Sequence, residues 1–339
     1  MSRHEIFAIS VLFLVVCTGC DKKEQDFRCP CSERKELKSE TNFIGIENIS
    51  FENYPKVDGS TSTSILNIMV ACKLLGIRYL WSPNPVISNG EWSVRPIWSE
   101  FPEQNWVFFW DNKTIKLSQT HGAFMNLIDG DVDIILTHRT ISPEEKAHAD
   151  DVGVTLIETS IALDAFVFVV NKYNNVTSLT VEQIQRIYTG EITNWSQVGG
   201  DNSNMQVFTR PRNSGSEEVF RELVMGDLEP AVFPPASSIG AMAMVFDNII
   251  DNVNSICYTF NNYKDVIARR PCDEVPIVAI NNICPDEKTI KNKTYPFISE
   301  VHVAIRSDLD HNSMAYKLYE WLQSEHAKHS LIECGFIPK

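Results

Sequence analysis

Positive charge is scarce in this 339-residue chain: 30 Lys and Arg stand against 44 Asp and Glu, a formal net charge of −14. Such acidity argues against a nucleic-acid partner and against an anionic membrane surface. Any anion site must therefore work through local hydrogen bonds and dipoles rather than through an overall field. Beyond the first twenty residues no uncharged apolar run reaches the length needed to cross a bilayer. There is no internal repeat, and no low-complexity tract outside residues 21–42. No common metal motif is present: His121 and His138 with Asp133 have the wrong spacing, so neither a metal nor another cofactor is expected. No nucleophile stands beside a general base. Asp131 and Asp133 share one strand face, and Glu144 and Glu145 adjoin at a helix start, so neither pair suggests glycosidase chemistry.

What is present begins with an export signal over residues 1–19. Arg3 gives a thin positive start, residues 6–16 form an apolar core too short to span, and small residues follow. Thr18-Gly19-Cys20 resembles the cleavage box of bacterial lipoproteins, although Cys17 stands where that box usually carries Leu. The resemblance implies that Cys20 is lipidated and holds an exported protein on the outer face of a membrane. Residues 20–45 comprise this Cys and a tether rich in Lys, Glu, Asp and Ser. Of nine cysteines, setting aside Cys17 and Cys20 leaves seven in a disulfide-permissive compartment, so at least one thiol stays unpaired. Cys272 and Cys284 are near enough in sequence to bridge a loop, and Cys29-Pro30-Cys31 reads as tether rather than as a metal or redox pair.

From about residue 56, short apolar strands alternate with amphipathic helices, which indicates an α/β architecture. Roughly 320 residues are too many for one simple core and suit two lobes. Helices are predicted over 65–75, stopped by Gly76, and over 120–128. Others should start at Ser142-Pro143, at Thr180 with Gln183 as a capping box, and at 217–225. Strands are predicted over 131–136 and 205–209, with a strand end at 114–117. Residues 161–170 form an almost unbroken apolar strand that could pass between lobes, with Asp164 ordering the hinge. The aromatic run Trp81, Trp92, Trp98, Trp106, Phe108, Phe109 and Trp110 reads as lobe packing, with a partner surface as the alternative.

Ser214-Gly215-Ser216 is by itself either an ordinary helix cap or an anion cradle. Free backbone N–H groups, two hydroxyls and the nearby planar cation of Arg210 favour the second when the rest of the chain is considered. Four polar turns, at 60–63, 120–122, 137–139 and 214–216, each fall at a strand end or helix start. Open α/β sheets collect ligands there, and two lobes can close around one small molecule.

Asp58-Gly59-Ser60-Thr61, Gly130-Asp131-Val132-Asp133-Ile134, Ile161-Ala162-Leu163-Asp164-Ala165, Thr193-Asn194-Trp195, Arg210 to Phe220 and Ser238-Ile239-Gly240 are read together. In this spacing they resemble the phosphate-binding proteins of bacterial phosphate ABC transporters, over roughly residues 55–339. The resemblance implies a two-lobed type II periplasmic-binding-protein fold, each lobe a central β-sheet flanked by helices, with the ligand cleft between them. Lobe 1 would comprise 46–162 with 292–339 returning to it, and lobe 2 would comprise 163–291. It implies a monomeric solute-binding protein that captures a tetrahedral oxyanion, phosphate first, for a membrane ABC permease and catalyses no reaction. The family's ligand positions fall on Ser60, Thr61 and Ser62; on Thr120; on Thr137, His138 and Arg139; and on Arg210, Ser214, Gly215 and Ser216. Where well-known members carry an Asp that accepts the proton of hydrogen phosphate, this chain has His138, followed by a second cation in Arg139. Neutral His can still accept a hydrogen bond, whereas protonated His cannot, so selectivity could depend on pH. Two other readings remain: a sensor or partner-binding protein of the same fold, and a phosphate-ester hydrolase with His121 or His138 as base.

Overall fold

The computed structural model describes residues 29–30, 43–83, 91–97, 99, 107–110, 113–212, 214–271 and 273–339. The predicted signal peptide, Cys20, most of the tether, Cys31, Trp98, Trp106 and Cys272 lie outside them. In chain order the elements begin with β1 (Val57–Gly59), α1 (Ser64–Leu74), β2 (Tyr79–Pro83), β3 (Trp92–Pro96), α2 (Val107–Trp110) and α3 (Gln119–Ile128). Next come β4 (Ile134–Thr137), α4 (Pro143–Asp151), β5 (Leu156–Val170), β6 (Ser178–Leu179), α5 (Val181–Tyr188), β7 (Gln206–Val207) and α6 (Gly215–Val219). The chain continues through α7 (Met244–Asp251), β8 (Ser255–Phe260), β9 (Ala279–Ile280) and α8 (Glu287–Lys291). It closes with β10 (Ile298–Arg306), α9 (Met314–Leu322), α10 (Lys328–Glu333) and β11 (Ile337–Pro338).

Among the described residues a seven-stranded sheet runs β1-β4-β10-β5-β8-β7, with β11 on β5. β5 organises it. Its first part pairs antiparallel with β10 as far as Ala165 opposite Ile298, and from Phe166 onward it pairs with β8. Every residue from Ile161 to Val170 is buried. Both faces of the strand are covered, which is why the sequence shows a continuous apolar run there rather than alternation. One strand thus joins the sheets of two lobes. On the first-lobe side, β4 alternates: Ile134 and Leu136 face the cluster that includes Ile65, Met69 and Val70 of α1. Ile135 instead packs with Ala123, Phe124 and Leu127 of α3. Helices therefore cover both faces of the sheet, and the period-two pattern of β4 separates them.

Local signals account for several helix starts. Ser142 and Glu145 form a reciprocal capping box with Pro143 in the first turn of α4, and Thr180 with Gln183 does the same for α5. Ser214 sits in an extended conformation and accepts from the Glu217 N–H, opening α6. Beyond Val219 the predicted single helix changes character and continues as a π-helical stretch, Phe220–Met225. Phe220 lies flat on Tyr258, ring centroids 4.5 Å apart, which seats this segment on β8. The strand predicted at 114–117 reduces to one bridge between Val57 and Ile115, and the strand at 131–136 begins only at Ile134.

The disulfide expectation needs correction. Cys284 is bonded to Cys29, 255 positions away, and not to Cys272. Sequence proximity favoured the short loop, but the fold brings residue 29 to the segment between β9 and α8, with the two Cα atoms 5.2 Å apart. Cys72, Cys257 and Cys334 are free and buried. Part of the aromatic run lies within the described residues. Phe108 meets Phe51 and Tyr54 edge-on at 5.2 Å, while Trp81 and Trp92 of the β2–β3 hairpin flank the Arg269 guanidinium.

Candidate functional site

The first-lobe turn follows β1. A Cβ on Gly59 would stand 2.6 Å from the Leu136 carbonyl oxygen, so only glycine lets β1 end this close to β4. Asp58 is fully buried and holds the turn from below. Its Oδ1 accepts from Gly59 N at 2.8 Å and from Ser118 N at 2.9 Å, and its Oδ2 accepts from Asn126 Nδ2 at 2.7 Å. These bonds join the turn to the entry of α3, where Thr120 stands. Above Asp58 the hydroxyls form a chain: Ser60 Oγ lies 3.0 Å from both Ser62 Oγ and Thr63 Oγ1, and Thr63 donates to the Leu136 carbonyl at 2.7 Å. Thr61 is half-buried, and its carbonyl accepts from Ser64 Oγ.

The third turn, after β4, is spoken for by protein groups. Thr137 is fully buried and donates to the Arg139 carbonyl at 2.7 Å, fixing the turn. The His138 ring stacks on Phe260 at 4.1 Å. Its Nδ1 lies 2.7 Å from Ser62 Oγ, and its Nε2 lies 3.4 Å from Asp164 Oδ2. Nδ1 is thus engaged by a side chain of the protein, whereas Nε2 is buried and makes no hydrogen bond. Arg139 is held in a fork by Glu145, with bonds of 2.8 and 2.7 Å, and its Nε faces the Glu218 carboxylate of α6. Burial pushes the Glu145 carboxyl up, but the hydrogen bonds and charge of Arg139 outweigh it and hold the group below the usual carboxylate range. Burial raises the Glu218 carboxyl, with Arg139 acting against the rise. His121 points its Nδ1 at Glu145 Oε1, 3.0 Å away.

The second-lobe group centres on Arg210, which is 9% exposed. Its Nε donates to Ser216 Oγ at 3.3 Å and its NH1 to the Ile239 carbonyl at 2.7 Å. Its backbone N–H donates to the Tyr258 hydroxyl, which in turn donates to Glu217. Glu217 also takes the Arg221 guanidinium at 3.0 Å, so this carboxylate is engaged elsewhere. Among the described residues no carboxylate makes an ion pair with Arg210. Burial lowers the guanidinium pKa, while Cys257, Tyr258 and Glu217 act in the opposite direction.

The two halves meet. Gly215 lies directly against Thr120, and Glu218 reaches Arg139 across the same boundary. Asn262, just past β8, donates its backbone N–H to Asp164 Oδ1 at 3.2 Å and its amide to the Ser62 carbonyl at 3.4 Å. The structure therefore gathers Ser60, Ser62, Thr120, His138, Arg139, Arg210 and Ser214–Ser216 around one seam. Thr137 lies beneath it, and His121 faces α4 beside it. Sequence reasoning passed over Glu145, Glu218, Asn262 and Tyr258. Glu145 was visible as a helix cap, and nothing local marked the same carboxylate as the clamp of Arg139.

A family profile described as a PBP superfamily domain matches residues 112–326. The chain belongs to this superfamily. It is 24% identical over 196 residues to the phosphate-binding protein PstS of Bacillus subtilis, covering 58% of this chain and 61% of that protein. It is 33% identical over 153 residues to PstS of Staphylococcus saprophyticus, covering 42% and 47%. The chain thus spans less than two thirds of the length of these curated relatives. Two solved structures superpose over 84% of the chain. One is an ABC-type phosphate transport receptor from Vibrio cholerae, with a TM-score of 0.58, 24% identity and 99% of that chain covered. The other is a putative phosphate ABC transporter substrate-binding protein with bound phosphate from Clostridium perfringens, with a TM-score of 0.59, 20% identity and 98% covered. At these identities the likeness establishes the superfamily's two-lobed fold, with central sheets flanked by helices. The seam built from four turns lies at the boundary between those lobes.

Proposed function

We propose that this chain is an exported receptor that binds a tetrahedral oxyanion, inorganic phosphate first, between its lobes and presents it to a membrane ABC permease. Arg210 carries this reading. A buried guanidinium without a carboxylate leaves a charge that a folded protein normally pairs, at a cost of several kcal/mol when it does not. An oxyanion seated at the seam supplies the missing partner. Ser214, Gly215 and Ser216 would contribute donors from the second lobe. Ser60, Thr61, Ser62 and Thr120 would contribute them from the first. Thr137, His138 and Arg139 would shape the wall between them. The relatives and the superposed structures named above are all phosphate receptors or phosphate-binding proteins, which supports the same ligand class.

The rest of the reading follows from this one. A receptor of this kind releases its ligand unchanged, so no reaction is assigned. It works as a monomer fastened through lipidated Cys20 on the outer face of a membrane. Calorimetry with phosphate and with sulfate tests the reading: phosphate should give a saturable heat that Arg210→Gln abolishes. A protein that gives no heat with either anion is not an oxyanion receptor.

A further inference from the structure

The β2–β3 hairpin supplies none of the four ligand turns, yet it touches both lobes. It is fastened to the first. Glu333 of α10 accepts from the Tyr79 hydroxyl at 2.8 Å and from the Trp81 indole N–H at 3.1 Å, and Lys73 of α1 pairs with the same carboxylate at 3.2 Å. Val94 of β3 is buried in the core cluster that includes Ile65 and Met69 of α1. The hairpin also meets residues 263–270, which follow β8. Glu91 is buried and accepts from the hydroxyl of the buried Tyr263. The Arg269 guanidinium lies 3.3 Å from the Trp92 ring centroid and 5.3 Å from that of Trp81. This segment belongs with the second lobe. Tyr263 lies parallel to Phe246 of α7, ring centroids 6.2 Å apart, and Arg270 donates to Asp247 of the same helix at 3.0 Å. The Asn171 amide, at the end of β5, donates to the Ile249 carbonyl of α7 at 2.8 Å. We propose that the β2–β3 hairpin is a clasp that holds the two lobes together and thereby sets the affinity of the site without touching the anion. This deepens the receptor reading given above and rests on it.

Burial raises the Glu91 carboxyl, with Arg270 opposing the rise and Asp247 adding to it. A carboxyl taken out of water is costly unless hydrogen-bonded, and Tyr263 supplies the bond from the other lobe. Arg269 sits at φ 48°, the left-handed region that residues with a side chain seldom adopt. Its contacts with two indoles offset that cost. The same arrangement closes the seam, with Gly215 against Thr120 and Glu218 at Arg139. Clasp and seam are thus made together. Parting the lobes at the hairpin would strip Arg269 from the indoles and Glu91 from Tyr263. A receptor that must be closed to hold its ligand binds with an apparent affinity scaled by its closed fraction. Contacts that raise this fraction before the anion arrives tighten binding as contacts to the anion itself would.

Phosphate calorimetry and small-angle X-ray scattering of the whole protein test this, using wild type, Trp92→Ala, Trp92→Phe and Arg269→Gln. Trp92→Ala and Arg269→Gln should each weaken phosphate binding by roughly fivefold, the size of one such contact. Each should enlarge the radius of gyration of the ligand-free protein, and saturating phosphate should return it to the wild-type value. Damage to the fold of one lobe would not be undone in this way. Trp92→Phe keeps an aromatic face for the guanidinium and should stay within about twofold of wild type. Arg269→Gln changes the second-lobe side of the contact and keeps the test decisive even when Trp92→Ala does not fold. Wild-type affinity and dimensions in Trp92→Ala and Arg269→Gln overturn the proposal. Tighter phosphate binding in them overturns it too, since the hairpin would then hold the lobes apart. A wild type that binds no oxyanion overturns the receptor reading. In that case enlarged ligand-free variants still support the clasp as a tie between lobes, and unchanged ones overturn it as well.

Discussion

A Cβ built on Gly215 would stand 2.1 Å from the hydroxyl oxygen of Thr120 and 3.0 Å from its Cβ. Thr120 belongs to α3 and Gly215 to α6, so the lobes touch where only a hydrogen atom fits. Gly215→Ala should hold them apart. The backbone there is ordinary for α6, so the fold itself should tolerate the methyl group. Overpacking of this kind costs about 1–3 kcal/mol, which sets the expected loss of phosphate affinity at roughly 5- to 150-fold. Calorimetry beside a thermal melt separates the two effects. Wild-type affinity in this variant would mean that the lobes do not close along this seam.

Glu145→Gln removes the carboxylate that grips Arg139 and leaves the guanidinium buried. Breaking a buried pair from one side costs about 3–5 kcal/mol, measurable by urea denaturation. The same pair gives an acid signature. The folded Glu145 carboxyl lies below its unfolded value, so its contribution is complete above an unfolded pKa of about 4.3 and fades as pH falls through the lower folded value. Stability of the wild type should therefore drop more steeply than that of Glu145→Gln over this acid range. Parallel stability curves would remove Glu145 as the source.

Glu218 brings a negative charge across the seam to Arg139. An anion entering between the lobes meets that carboxylate as a competitor for the guanidinium and as a like charge. Glu218→Gln should raise phosphate affinity by about fivefold to tenfold, an effect of roughly 1 kcal/mol at a partly solvated pair. High salt should shrink the difference between variant and wild type. Weaker binding in the variant would show instead that the cross-lobe pair serves closure more than it opposes the ligand.

Gly59 approaches the Leu136 backbone too closely for any side chain. Because a strand carbonyl cannot step aside as a flexible side chain can, Gly59→Ala should destabilise the protein by about 1–3 kcal/mol. It should also weaken anion binding by displacing Ser60 and Ser62. A chemical denaturation midpoint unchanged from wild type would show that β1 and β4 separate easily.

Features encoded within a few residues were legible in the sequence. The helix start at Ser142-Pro143 and the capping box of Thr180 with Gln183 each lie within one helical turn, and β5 was visible as an almost unbroken apolar run. The Ser214 turn was legible for the same reason. Features that depend on distant partners were not. Arg139 could be seen as a cation near the seam, but its Glu218 partner lies on a different lobe. His138 could be seen as a departure from the family's carboxylate, but only the fold turns its two nitrogens toward Ser62 and Asp164. Cys284 illustrates the same limit, since a partner 255 positions away leaves no local trace.

That bridge also bears on how the molecule would stand at a membrane. Cys284 follows β9, which pairs with β6 beyond the crossing of β5, on the second-lobe side. Nine positions separate Cys20 from Cys29, a reach of at most about 30 Å. A molecule moored at Cys20 would hang from its second lobe by this short line. The first lobe, carrying Ser60, Ser62 and Thr120, would then be the jaw that swings, and the jaw bearing Arg210 would stay fixed toward the bilayer.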